Sequence, residues 1–218
     1  MGYTTSELLK EFYKLETISF GKDGTFERKL DFNLMIGTRA ASDILEPKTG
    51  KIIVKKGKKY TKAFIKKMEE TGVASLSAEL EEVVGKIVAE DIFNEKTGEV
   101  ICLANEALTE SKIHDLIKSG VKEINVLYID MINYGDQIRN TLLLDKTESR
   151  EDALIKIFER LRPGEPPAVE AAAQLFENLF FNKDKYDLSK VGRMKVNYKF
   201  GMEIPVEETV LTHRDILT

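Results

Sequence analysis

The sequence has 218 residues, of which 42 % are hydrophobic, enough for a substantial core and too apolar for a wholly disordered chain. Lys and Arg total 33 against 37 Asp and Glu, a formal charge of −4 that excludes a generically basic polyanion binder while leaving room for a local basic face. One cysteine, Cys102, and two histidines, His114 and His213, can neither close an intramolecular disulfide nor assemble a metal cluster; with no long apolar run and no leader-type N-terminus, the chain reads as soluble and cytoplasmic.

The first predicted element is a helix near residues 5–15. Thr4-x-x-Glu7 is a capping-box pattern, and Leu8, Leu9, Phe12 and Leu15 follow on one helical face. Further on, a shift of 48 residues lays two stretches on one another, near 37–73 and 85–121. Asp43-Ile44 falls on Asp91-Ile92, Lys48-Thr49-Gly50 on Lys96-Thr97-Gly98, Thr61 on Thr109, Ile65 on Ile113, and Gly72-Val73 on Gly120-Val121. In each copy the Lys-Thr-Gly run is a hairpin connection whose glycine supplies a positive φ. The flanking segments around Ile52-Ile53-Val54 and Val100-Ile101-Cys102 are apolar and strand-prone. Thr61 and Thr109 then cap short helices, with Phe64, Ile65 and Met68 on one inner face and Ile113, Leu116 and Ile117 on the other. Two hairpin–helix copies are expected to pack together, because one alone is too small to bury its apolar face.

Lys51, Lys55, Lys56, Lys58, Lys59, Lys62, Lys66 and Lys67 crowd the first copy, and the second lacks them. No aromatic series is interleaved and Glu69, Glu70, Glu79, Glu81 and Glu82 lie nearby, so the run reads as a solvated face rather than a polyanion patch. Lys56-Gly57-Lys58 does not meet the spacing of a phosphate-binding loop.

Ser149-x-x-Asp152 opens a helix near 149–162, with Ala153, Leu154, Ile157, Phe158 and Leu161 inward. It runs into Arg162-Pro163-Gly164-Glu165-Pro166-Pro167, whose prolines and glycine fix a rigid turn; Pro167 suits the first turn of the next helix, near 167–181. Ala172, Leu175, Phe176, Leu179 and Phe180 give that helix a broad apolar face. A further helix is expected near 187–199. Lys183, Lys185, Lys190, Arg193, Lys195 and Lys199 stand against Asp184 and Asp187 there, with Tyr186 and Tyr198 available beside them, which is the composition of a nucleic-acid surface or of a solvated helix. Thr212 is expected to cap a last helical turn.

The turn at 162–167, followed by Leu175-Phe176-Glu177-Asn178-Leu179-Phe180-Phe181 and then by residues 186–197, resembles the second lobe of the bacterial DNA-directed RNA polymerase β subunit. Gly2-Tyr3-Thr4-Thr5 and Leu211-Thr212-x-x-Asp215-Ile216-Leu217 resemble the flanks of that lobe, and the duplicated region resembles an insertion that many such subunits carry within it. The resemblance implies that the chain is a piece of a much longer subunit, and an α+β fold. Residues 1–16 and 135–218 would form a mainly helical lobe, interrupted at 17–134 by an α+β insertion built from the two β-hairpin–helix repeats. It further implies a place on one side of the main cleft, facing downstream duplex and non-template DNA. The nucleotidyl-transfer chemistry of the family is done elsewhere, at a magnesium held by aspartates of the β′ subunit, so no cofactor and no catalytic residue is expected here. The implied partners are DNA, the remainder of β, the β′, α and sigma subunits, and regulators docking on the insertion; no membrane is implied. On the resemblance, Arg162 and Arg193 face non-template DNA; Lys190, Lys195 and Lys199 join them on charge and proximity, and Glu165 orients Arg162. The alternative is a free-standing protein-interaction module built on the duplicated unit. A small-molecule enzyme fares worst, because Cys102, His114 and His213 are far apart in sequence and Cys102 reads as a buried, inert thiol.

Overall fold

The structure is a computed structural model that describes residues 1–21, 24–94 and 97–218. In chain order the elements are α1 (Thr5–Phe12), β1 (Leu15–Phe20), β2 (Phe26–Lys29), a 3-10 turn (Phe32–Met35), β3 (Ile44–Leu45), β4 (Ile52–Val54), α2 (Lys62–Glu70), β5 (Leu76–Ala78), α3 (Leu80–Val83), β6 (Ile92–Phe93), β7 (Val100–Cys102), α4 (Glu110–Ser119), β8 (Glu123–Leu127), α5 (Gln137–Leu144), α6 (Arg150–Leu161), α7 (Val169–Phe180), α8 (Ser189–Phe200) and α9 (His213–Leu217). The fold is mixed α+β, and it divides into a larger unit, Tyr3–Asp145, and a smaller one, Met1–Gly2 with Lys146–Thr218.

The larger unit is organised by an antiparallel sheet of order β5-β2-β1-β8. The central strand β1 pairs Ile18 with Arg28 on one side and with Ile124 on the other. Strand β1 begins at Leu15, which the sequence places on the face of the first helix. Helix α1 stops earlier because Tyr13 is already extended (φ −116°, ψ 146°), and Thr17 and Ile18 favour a strand. The Thr4–Glu7 capping box forms as expected.

The compact units divide at 2/3 and 145/146, so the first helical segment packs with the α+β body. The physical reason is burial: Leu9 and Tyr13 of the first helical segment pack with Ile87, Ala89 and Leu127 of the α+β body, and the Tyr13 hydroxyl accepts the Arg139 N–H at 3.1 Å. Only α6–α9 form the separate helical unit.

Both hairpin–helix segments are present and make the same hydrogen bonds 48 residues apart. Ile44 pairs with Val54 and Leu45 with Ile52; Ile92 pairs with Cys102 and Phe93 with Val100. The Gly37 N–H donates to the Tyr60 carbonyl and that of Gly85 to the Leu108 carbonyl, at 2.9 and 2.8 Å. Asp43 accepts from the Lys56 N–H at 2.6 Å, and Asp91 from the Ala104 N–H at 2.7 Å. The hairpin glycines take the left-handed conformation expected of them (Gly50 φ 69°, Gly98 φ 74°); Lys96 of the second connection lies outside the described residues. Thr61 and Thr109 cap α2 and α4.

The two segments do not share one core. Ile44, Ile53, Val54, Ile65 and Met68 cluster with Phe32, Met35 and Leu76; Cys102, Leu108, Ile113 and Leu116 cluster with Ile18, Ile124 and Val126 of the sheet. Each thus finds its apolar partner outside its twin, with β5 between them: Leu76 belongs to the first cluster and Ala78 to the second. Within β1, the fully buried carboxylate of Glu16 is held by Arg28 of β2 and by Lys86 (2.9 Å), and Arg28 also reaches Glu82 at 3.6 Å. Burial raises the Glu16 carboxyl, but these two cations outweigh it and hold it below the usual range.

In the smaller unit, α6 and α7 bury Leu154, Phe158 and Ala172 against one another. Ser149 caps α6 through the Asp152 N–H at 3.1 Å. Helix α7 starts at Val169, two residues after Pro167, with Ala168 extended as its N-cap (φ −114°, ψ 139°).

Candidate nucleic-acid interface

Arg162 is the C-cap of α6, and its N–H still donates to the Phe158 carbonyl at 2.8 Å. Gly164 then turns the chain in the left-handed region (φ 92°), where a side chain would be strained, and the Glu165 N–H closes back on the Arg162 carbonyl at 3.3 Å. The half-exposed Arg162 guanidinium lies 6.0 Å from the centroid of the buried Phe158 ring, and its Nη1 donates to Glu165 Oε2 at 3.3 Å. A cation is therefore presented to solvent from a core aromatic, with a carboxylate beside it.

Arg193, the other arginine singled out by sequence, points the opposite way. Its side chain is fully buried. Nη1 donates to Asp215 Oδ1 at 2.6 Å, Nε to the Glu208 carbonyl at 2.5 Å, and Nη2 to the Val210 carbonyl. Asp215 also closes the capping box of α9 by accepting the Thr212 N–H at 2.6 Å and its hydroxyl at 2.9 Å. Burial raises the Asp215 carboxyl; Arg193 and Thr212 together overcome this and hold it below the ordinary carboxylate range. Arg193 is thus a staple between α8 and the segment 208–215, and its donors are used internally rather than offered to a phosphate. This corrects the expectation that it faces DNA.

Lys190, Lys195 and Lys199 are exposed, and none forms an ion pair among the described residues. Helix α8 contains no acidic residue. Its outer stripe, opposite Arg193, carries Val191, Met194 and Tyr198, the last 92 % exposed. The spacing 191, 194, 198 is visible in the sequence as an apolar helical stripe that would be assigned to the core, whereas here it is exposed and Arg193 is buried. Cys102 is buried in β7, and burial pushes its thiol up from the ordinary value; His114 and His213 are exposed, and Arg162, Arg193 and the α8 lysines lie in another unit from Cys102 and His114. No helix among the described residues is long and apolar enough to cross a membrane.

Residues 137–218 match a family model described as RNA polymerase Rpb2, domain 2. Across 98 % of its length the chain is 50 % identical to the DNA-directed RNA polymerase subunit beta of Anaeromyxobacter dehalogenans (strain 2CP-C). The chain belongs to the bacterial RNA polymerase β-subunit family. Over all of its length it is 52 % identical to the β subunit of Geobacter sp. (strain M21), and over 98 % it is 46 % identical to that of Myxococcus xanthus (strain DK1622). The chain spans about 15 % of the length of these β subunits, and its matched domain, the lobe, contains Arg162, Arg193 and all of α8. What sequence reasoning missed in this β-subunit segment is the Arg193 staple. Asp215 at the third position of the last capping box was its one local signal, and the two accepting carbonyls carry none.

Proposed function

We propose that the chain works as the lobe of a DNA-directed RNA polymerase β subunit, lining the main cleft and contacting downstream duplex and non-template DNA. It brings no bond-making chemistry of its own to the nucleotidyl transfer. The observation that carries this reading is the presentation of Arg162: a half-exposed guanidinium near a buried ring at the start of a proline-locked turn, within the domain that matches the family model. A guanidinium can bind phosphate through two donors or stack on an unpaired base, which suits a strand separated from its complement. Lys190, Lys195 and Lys199 supply positive charge along α8 without a competing acid, and Glu165 orients Arg162. Arg193 has no part in the contact.

The remainder of β and the β′, α and sigma subunits complete the enzyme in this reading, with the cytoplasm as its compartment. The two hairpin–helix segments descend from one duplicated unit, and the region 17–134 is an insertion in the lobe that regulators can use. The shared hydrogen bonds 48 residues apart support the duplication.

The test is Arg162→Ala in the assembled polymerase. Loss of one charge-assisted contact should shorten the lifetime of promoter open complexes about fivefold to thirtyfold, corresponding to roughly 1–2 kcal/mol. Nucleotide addition on a preformed scaffold should continue at the parental rate. Slowed addition with open complexes of normal lifetime rejects the assignment.

A further inference from the structure

We infer that the first hairpin–helix segment is a second DNA contact, one that grips the phosphate backbone of duplex DNA through Lys55, Lys58, Lys59, Lys62 and Lys66. The proposal rests on the reading of the chain as part of a DNA-engaging polymerase, but uses a different unit from Arg162.

The lysines of this segment are all exposed: Lys51, Lys55, Lys56, Lys58, Lys59, Lys62, Lys66 and Lys67. Among the described residues only Lys66 forms an ion pair, with Glu70 at 3.8 Å. Lys56 opens on a groove shared with Asp43, Glu79 and Glu81, so its charge is locally offset and it is left out of the contact. The turn that carries the others is pinned by Arg39, whose Nη1 donates to the Gly57 carbonyl at 2.7 Å and which adds one more exposed cation. Lys62 and Lys66 stand one helical turn apart on α2, which begins immediately after that turn.

The second segment shows that the fold does not require these charges. The same backbone hydrogen bonds occur there, yet the positions matching the lysines hold Glu99, Leu103, Ala104, Glu106, Ala107, Glu110, His114 and Asp115. An identical frame thus carries a lysine face in one place and an acidic one in the other. Composition alone, with Glu69 and Glu70 nearby, reads as a solvated face; what favours a polyanion outside the chain is that these mostly unpaired cations sit on a frame that folds equally well without them. The absence of an exposed ring points to duplex backbone rather than unpaired bases: Tyr60 is buried at 2 % exposure and Phe64 is packed against the first core cluster.

The experiment measures binding of the assembled polymerase to a short duplex of arbitrary sequence over a salt series, with the parent β subunit and with Lys55→Gln/Lys59→Gln/Lys62→Gln/Lys66→Gln. Each phosphate contact contributes about 0.9 to the slope of log affinity against log salt, so losing two should flatten it by about 1.8. An equal-charge control, Lys14→Gln/Lys29→Gln/Lys118→Gln/Lys122→Gln, should leave the slope at the parental value. A slope within about 0.5 of the parent for the first variant overturns the proposal. So does an equal flattening by the control, which would reduce the effect to net charge. An acidic protein as the true partner would also leave the slope unchanged and thereby count against it. Arg162→Ala is measured in parallel: its open-complex defect persisting beside an unchanged slope removes this contact alone, whereas its absence removes the lobe reading.

Discussion

Replacing Arg193 should unfold the smaller unit rather than weaken DNA binding at constant stability. The side chain is fully buried, its Nη1 lies 2.6 Å from a carboxylate that is itself buried, and two backbone carbonyls depend on its remaining donors. Arg193→Met keeps most of the volume and removes every one of those bonds. Asp215 keeps its two Thr212 donors, so it is not wholly abandoned; the carbonyls of Glu208 and Val210 lose their partner. Breaking a buried pair from one side costs about 3–5 kcal/mol, and the middle of that range is expected here. For a unit of this size, about 4 kcal/mol corresponds to a fall of roughly 15–30 °C in its melting temperature. The assay is thermal and urea unfolding followed by far-ultraviolet circular dichroism, on Arg193→Met, Asp215→Asn and the double variant. The double variant should cost clearly less than the sum of the singles, because each removes the same interaction. A loss below about 1 kcal/mol for Arg193→Met, or additive singles, would refute the staple.

Two further outcomes are expected. Glu16 and Asp215 both have folded-state values held below the ordinary ones, so the stability they contribute is fully present above the unfolded values of about 3.9–4.3 and is lost as pH falls through the lower folded values. Acid unfolding of the parent should therefore steepen below about pH 4, and Glu16→Gln should flatten that limb; a parental limb in Glu16→Gln would contradict the assignment. Gly164→Ala forces a side chain into a left-handed turn with open space around it, so strain alone should cost about 1–2 kcal/mol in urea unfolding. A neutral or stabilising outcome would mean that the turn relaxes to another conformation.

Most of the local structure can be read from short-range chemistry. Thr4, Thr61, Thr109, Ser149 and Thr212 each cap the helix expected after them, because a side-chain oxygen two or three residues from an unsatisfied N–H is a purely local device. The matching hairpins follow from matching turn residues for the same reason. The sheet does not: β1 pairs with β8 more than a hundred residues later, and nothing near Leu15 announces this partner. With that pairing, Leu9 and Tyr13 pack into the α+β body. Arg193 escaped for a related reason. A lysine or arginine in sequence declares its charge but not its direction, and the apolar stripe of Val191, Met194 and Tyr198 reads as core-facing, which would turn position 193 outward; the structure has the reverse. The local geometry of Arg162 and Glu165 was legible, because a turn with three prolines fixes where both side chains emerge.

If Arg162 contacts DNA as proposed, its seating bears on how quickly the lobe could let go of a strand as well as on how it takes hold. A free arginine side chain carries about 2 kcal/mol of rotamer entropy, much of which is ordinarily forfeited on binding. Here Phe158 and Glu165 already restrict the guanidinium before anything arrives. Capture then requires an exchange of partners, Glu165 for a phosphate, with little further ordering, and release simply reverses it. A contact made this way can form and dissolve many times while a polymerase advances along its template, without leaving the arginine either disordered or trapped.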